Sequence, residues 1–142
     1  MPAILRQATI SDIPGIWDVR YSVTENTLTR GRISDEDVRR EIEETGRGWV
    51  IDDDGHIKAF AIGNAQSGNI WALFVSPAAQ GMRFGHRLHE TMIDWLRAQN
   101  APTLWLTTGS DTRACGFYER RDWQRVSVTD SDETRYELPN AT

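Results

Sequence analysis

The chain has 142 residues, of which 39% are hydrophobic and 26% charged, a size and composition that fit one globular domain with a core and exclude a disordered or fibrous chain. A formal net charge of −5 and a pI near 5.2 give no electrostatic footprint for nucleic acid or an anionic membrane, so neither is expected as a partner, and cationic molecules fit better. The lone Cys115 excludes an intrachain disulfide, the N-terminal residues lack the pattern of a signal peptide, and no uninterrupted apolar run is long enough for a membrane helix; a cytoplasmic setting is expected.

Ile4 to Thr9 reads as a short strand. Ser11 then offers a hydroxyl N-cap to a helix carrying Ile13, Ile16, Trp17 and Tyr21 on one face. Ser22 to Arg32 is polar and reads as a loop. Ser34, with Asp37 three positions on, makes a capping-box start to a second helix with Val38 and Ile42 on its apolar stripe. Gly48 to Ile51 and His56 to Ala65 are β-rich runs around Asp52-Asp53-Asp54-Gly55, which predicts a hairpin.

After the loop Gln66-Ser67-Gly68, Asn69 to Val75 is apolar on both faces, which suits a central buried strand that Pro77 stops. Leu88, Met92, Trp95 and Leu96 recur at helical spacing between Gly85 and Asn100. Thr103 to Thr107 is a further strand. A turn at Gly109-Ser110-Asp111, a short helix from Thr112 to Arg121, and strands at Trp123 to Thr129 and Thr134 to Leu138 complete the pattern, with a frayed tail after Pro139. The order predicts one α+β layer structure without repeats or linkers.

The strongest candidate site is the stretch Ser76 to His86, which joins a buried strand to a long helix. The first amides of a helix have no internal partners and its dipole is positive there, so the loop is suited to an anion, and Gly81 and Gly85 allow close backbone approach. A purely structural connection has the same local appearance. Neither G-x-x-x-x-G-K-[ST] nor a G-x-G-x-x-G opening the first strand–helix unit is present.

The loop Gln80-Gly81-Met82-Arg83-Phe84-Gly85 resembles the Q/R-x-x-G-x-G/A pattern of the GNAT superfamily of acetyl-CoA-dependent N-acetyltransferases. Asp111 to Trp123, with Ala114, Phe117, Tyr118 and Glu119, is similar to that family's N-x-x-A-x-x-F-Y-E-x-x-G-F stretch at a matching distance along the chain. The resemblance covers nearly the whole chain. It implies a single GNAT-like domain over residues 1–142, with a central, mixed but mostly antiparallel twisted sheet of about six to seven strands flanked by about four helices.

It further implies acetyl-CoA as cosubstrate. Leu73, Phe74 and Val75 lie on the strand whose backbone pairs with the pantetheine arm, Gln80, Gly81, Met82, Arg83, Phe84, Gly85 and His86 surround the pyrophosphate, and Asp111, Ala114 and Tyr118 line the thiol end. Three residues depart from the family pattern. Arg83 stands at the usual middle glycine, Asp111 at the asparagine and Asp122 at a glycine. Arg83 can place a guanidinium on phosphate or point to solvent, whereas Asp111 cannot donate the amide hydrogen bond of asparagine.

The implied activity is transfer of an acetyl group to the amine of a small-molecule or protein acceptor by direct attack in a ternary complex, with a base, an oxyanion donor and an acid supplied by the protein. Tyr118 is the acid candidate through the family match, although spacing alone fits a buried aromatic beside Phe117. The strand before the loop has no glutamate, which makes Glu25 the best base candidate, with His56 and a water relay open; a solvated loop carboxylate is the bland alternative for Glu25. Cys115 reads as structural and buried. His86 and His89, three apart without a third ligand, predict no metal site.

Most of the six tryptophans read as core, and Trp17 and Trp71 are the candidates for the acceptor pocket. A homodimer is the assembly to test for. Arg83, Asp111 and the missing strand glutamate also motivate a second reading, a CoA-binding regulatory or accessory module without turnover, and a structural interaction domain is the third.

Overall fold

The computed structural model describes residues 3–22, 33–110, 112–128 and 132–139. Within them, β1 (Ile4–Gln7), β2 (Gly46–Asp53), β3 (His56–Asn64) and β4 (Ile70–Val75) form one antiparallel sheet in that order. The β2–β3 turn is tighter than the sequence suggests, because Asp54 and Gly55 have φ of 53° and 88°, the two left-handed residues that a hairpin turn of this kind requires. Asp52 is thereby left in the strand, where its Oδ1 accepts the Gly55 amide at 2.8 Å.

The entry to α1 (Ile13–Ser22) also differs from expectation. Ser11 lies inside a single 3₁₀ turn, Ile10–Asp12, and the capping residue is Thr9, whose amide donates to Asp12 Oδ2 at 2.8 Å. Asp12 wins over Ser11 because Arg6 grips the same carboxylate with two bonds of 2.8 Å and ties it to β1. At α2 (Asp35–Arg40) the predicted capping box is present: the Asp37 amide donates to Ser34 Oγ at 3.1 Å and the Ser34 amide to Asp37 Oδ2 at 2.9 Å.

α3 (Phe84–Ala98) is the long amphipathic helix, and its Leu88, Met92 and Leu96 are fully buried. It ends at Ala98, and Asn100, with φ of 58°, turns the chain toward β5 (Leu104–Gly109). α4 (Arg113–Glu119) follows, then β6 (Gln124–Val128) and β7 (Glu133–Leu138); these last strands form a second antiparallel sheet in the order β5-β7-β6. Trp123, expected at the start of β6, instead lies before it and is buried, its indole N–H donating to His89 Nε2 at 3.0 Å.

The architecture is α+β, with the expected strands split between two antiparallel sheets of four and three strands. The sheets touch at a parallel bridge between Asn69 and Trp105, where Trp105 N donates to Gly68 O at 3.0 Å and its indole to Ser67 O at 3.1 Å. β4 therefore sits in the middle of the molecule yet is an edge strand in hydrogen bonding, paired only with β3 among the described residues. Past the bridge, β4 and β5 diverge. One core, with Trp49, Ile51, Ala59 and Ala61, packs under α3 and α4, and another, with Val50, Phe60 and Ile62, packs under α1 and α2. Alternate side chains of β2 and β3 thus point to opposite helical layers, as the two-residue repeat of a strand dictates.

Candidate functional site

The chain leaves β4 at Val75 and makes one 3₁₀ turn over Pro77–Ala79. Gly81 has φ of 88° and Arg83 φ of 64°, and Arg83 caps α3. The first bond of the helix runs from Arg87 N to Arg83 O at 3.1 Å, and the backbone amides from Gly81 to His86 have no acceptor among the described residues. The left-handed residues curl these amides around the positive end of a fifteen-residue helix, an arrangement that favours an anion.

A cavity of about 480 Å³ opens in front of these amides. Arg83, His86, Arg113, Arg120 and Arg121 line it, and no carboxylate does among the described residues, although the whole chain has a net charge of −5. Arg113 donates to Gln80 Oε1. Arg121 lies 3.8 Å over the Phe117 ring, donates to Phe117 O at 3.0 Å and to His86 Nδ1 at 3.1 Å. Because arginine only donates, His86 carries its proton on Nε2. Burial, and then Arg120, lower the Arg121 pKa from its ordinary value.

Leu73, Phe74, Val75, Gln80, Gly81, Phe84, Gly85, Ala114 and Tyr118 line the same cavity, so the structure brings most of the sequence candidates together. Met82 is exposed and lines neither cavity described here. Glu25 and Asp111 lie outside the described residues. Arg113, Arg120 and Arg121 were missed by sequence reasoning: they fill the variable positions of the second motif, and only their convergence with Arg83 across two helices marks them. Gly81 is favoured by its backbone angle, whereas a Cβ at Gly85 would make only ordinary contacts of 3.4 Å with Val75 and Phe117.

A second cavity, of about 600 Å³, lies on the other side of β4 and includes Trp17, Arg20, Trp71, Thr108 and Glu133. The two cavities share Leu73, Phe74, Ala114 and Tyr118. Tyr118 is 6% exposed and packs edge-on to Phe117 at 5.2 Å and Trp123 at 5.5 Å. Its hydroxyl makes no hydrogen bond to a described residue. Burial pushes the phenol above its ordinary pKa, partly offset by Arg121, so it is a protonated donor throughout the neutral range.

The other sequence candidates are placed elsewhere. Both nitrogens of His89 are occupied, Nε2 by Trp123 and Nδ1 by Glu90 Oε2 at 3.0 Å; burial lowers its pKa and fixes a neutral ring protonated on Nδ1. Cys115 is buried with Sγ 3.5 Å from Gly109 O. His56 is exposed at the β2–β3 hairpin and lines neither cavity. No group of three metal-ligating side chains occurs among the described residues, and no helix there is long and apolar enough to cross a membrane.

Residues 14–123 match the model of the Acetyltransferase (GNAT) family. The chain is 33% identical over 86 residues to a mycothiol acetyltransferase of Beutenbergia cavernae, a match covering 56% of this chain and 29% of that protein, so it spans about a third of the length of that relative. Among solved structures it is similar to an N-acetyltransferase from Staphylococcus aureus Mu50, with a TM-score of 0.81, 15% identity and 97% and 98% of the two chains covered. It is equally similar to the PaiA N-acetyltransferase of Thermoplasma acidophilum in complex with coenzyme A, with a TM-score of 0.80, 15% identity and 96% and 98% covered.

Proposed function

The chain belongs to the acetyltransferase (GNAT) family, and from that premise we propose that it moves an acetyl group from acetyl-CoA directly to the amine of an acceptor, with both substrates bound together. The observation that carries this reading is the meeting of two cavities at Leu73, Phe74, Ala114 and Tyr118, one lined by cations and amides, the other by aromatic side chains together with Arg20, Asp132 and Glu133. Two separate chambers with one shared wall fit simultaneous occupancy by donor and acceptor.

The residues present suit the family's donor. Its diphosphate and phosphate groups match the amides from Gly81 to His86 and the guanidinium groups of Arg83, Arg113, Arg120 and Arg121, which favour polyanions by charge and by multiple donation. Its amide-bearing arm matches the facing edges of β4 and β5, which pair with no further strand among the described residues and to which an extended chain can add as a strand. When bound, acetyl-CoA supplies an activated acyl carbon and a thiolate leaving group.

In this reading Leu73, Phe74 and Val75 flank the arm, and Ala114, with Asp111, borders its sulfur end. Tyr118 gives its hydroxyl proton to the departing sulfur, which its undissociated state and its place in both cavities support. Glu25 is our candidate to take the acceptor's proton. Glu133, which lines the acceptor cavity and which sequence reasoning passed over, is the second. A cytoplasmic reaction goes with the single buried thiol of Cys115. Either a small molecule or a protein amine satisfies the reading, and a homodimer is compatible with it.

Calorimetry with acetyl-CoA and initial rates of thiol release against an amine panel test the proposal. Binding followed by intersecting double-reciprocal lines is expected when both substrates are varied. Parallel lines would refute direct attack, and absence of binding at micromolar protein and near-millimolar acetyl-CoA would refute the donor site. Binding without turnover on any amine would instead favour an accessory CoA-binding role.

A further inference from the structure

The acceptor cavity is walled in large part by rings, and a break in the alternation of β4 puts one of the largest there. Ile62 pairs with Ala72 and Gly63 with Ile70, which leaves Trp71 as the extra residue of a β-bulge. Strict alternation would set Trp71 with Leu73 against the core under α3 and α4. Trp71 instead packs, with Ala72 and Phe74, against the core under α1 and α2, and its half-buried ring lines the cavity. Bulges re-aim side chains in this way and gather beside functional sites.

Trp17 approaches from α1. Its indole N–H donates to Asp35 Oδ1 at 2.7 Å and Tyr21 stacks on it at 5.5 Å, so the ring is fixed in place while it too stays half-buried. Arg20, 4.5 Å over the Phe74 ring, and Glu133 are both already in contact with protein groups, and the surface offered to an apolar substituent is mainly aromatic. With Asp132, the charged groups of the cavity are two acids and one cation among the described residues, a balance that admits an ammonium ion more readily than an anion. Phe74 is also a wall of the donor cavity, and Trp71 stands three residues before it, about 10 Å of extended strand at most. That span suits a ring held one or two carbons from an amine at the junction. A volume of about 600 Å³ is of the size that takes small molecules, and an aryl ring would cover both indoles, gaining from buried area and from ring-to-ring contact.

We propose that the acceptor is a small arylalkyl amine, a primary amine one or two carbons from an aromatic ring, and that Trp17 and Trp71 hold that ring. This deepens the acetyl-transfer reading and rests on it. The test compares kcat/KM for 2-phenylethylamine, 2-cyclohexylethylamine, ethylamine and a peptide with an N-terminal phenylalanine. Wild-type protein should prefer 2-phenylethylamine to ethylamine about 10- to 100-fold through burial of the ring, and to the saturated 2-cyclohexylethylamine about 2- to 10-fold through aromatic contact. Trp71→Leu and Trp17→Leu should each shrink the phenyl-to-cyclohexyl preference while acetyl-CoA affinity in calorimetry, which also reports a folded protein, stays unchanged. Trp71→Phe keeps a ring at the bulge with less risk to folding and should retain most of that preference.

A phenyl-to-cyclohexyl ratio unchanged in both leucine variants overturns the assignment of the two tryptophans. Ethylamine acetylated as well as 2-phenylethylamine overturns the substrate class, and faster acetylation of the peptide overturns the small-molecule acceptor. Failure to acetylate any member of the panel also overturns the class; intact acetyl-CoA binding to the wild-type protein would then leave the donor site standing, whereas absence of that binding would mark failure of the acetyl-transfer reading itself.

Discussion

Removing the Tyr118 hydroxyl separates its chemical from its structural role. The ring is buried against Phe117, Trp123 and His89, and all of that packing survives in Tyr118→Phe. The hydroxyl bonds to no described residue, so among the described residues no hydrogen bond is lost and no partner is stranded. Unfolding free energy should therefore change by less than about 0.5 kcal/mol. A positioned proton donor contributes on the order of 10²- to 10⁴-fold, and phenol to thiolate is a modest match, so kcat should fall about 100- to 1,000-fold, equivalent to about 2.7–4.1 kcal/mol.

Because burial raises the phenol pKa, Tyr118 stays protonated as pH rises through the neutral range, and no alkaline loss of activity below about pH 10 should be traceable to it. By linkage the group leaves stability unchanged below the ordinary tyrosine pKa, and stability falls as pH rises from there toward the higher folded value, because burial disfavours the phenolate. Thiol-release kinetics with thermal unfolding of both proteins decide the matter. Unchanged kcat would refute the proton-donor argument, and a melting temperature lowered by several degrees would show that the hydroxyl is structural.

At Gly81 the space around a new Cβ is empty but φ is 88°, so Gly81→Ala should cost about 1–2 kcal/mol through backbone strain alone, measured by denaturant unfolding. Acetyl-CoA affinity should fall steeply between low and physiological salt, and Arg121→Ala should weaken it about tenfold while flattening that dependence, as calorimetry at two ionic strengths would show. Arg6 first, and then the Thr9 amide, hold the Asp12 carboxyl below its usual pKa. That stability is full above about pH 5 and lost as pH falls through the depressed folded value; Asp12→Asn should cost about 1–2 kcal/mol at pH 7, a modest figure because Arg6 is over a third exposed, and progressively less in acid. Leu88→Ala, at a fully buried position of α3, should cost about 2–5 kcal/mol in the same unfolding assay.

Local signals were the ones readable from sequence. The Ser34–Asp37 box, the Asp-Gly hairpin and the stripe of Leu88, Met92 and Leu96 each depend on neighbours within a few positions, and each forms. What escaped depends on distant residues. Ser11 lost the capping role because Arg6 organises Asp12 from a neighbouring strand. β4 carries the apolar content of a central strand because helices cover both its faces, a pattern silent about whether its edges are paired. The split between the sheets, and with it the cleft, is set by one bridge at Asn69 and Trp105. The arginines around the donor cavity were hidden for a similar reason: composition reports a net negative chain and cannot show charges gathering at one face.

The two glycine departures carry a more general lesson. Arg83 and Asp122 occupy family glycine positions, and both adopt the left-handed conformation, at φ of 64° and 70°. The family pattern at these points therefore describes a backbone angle more than a side chain, and this chain retains the angle at a cost of about 1–2 kcal/mol for arginine and less for aspartate, whose short polar side chain tolerates it. Strain kept at a ligand-facing loop implies a return, and for Arg83 the return on offer is a guanidinium added to a cavity that already gathers three others. Arg83→Gly weighs the two directly: stability should hold or rise slightly as strain is relieved, while acetyl-CoA affinity falls several-fold. If affinity is unchanged, Arg83 contributes no charge to the donor and its strained conformation lacks a functional explanation.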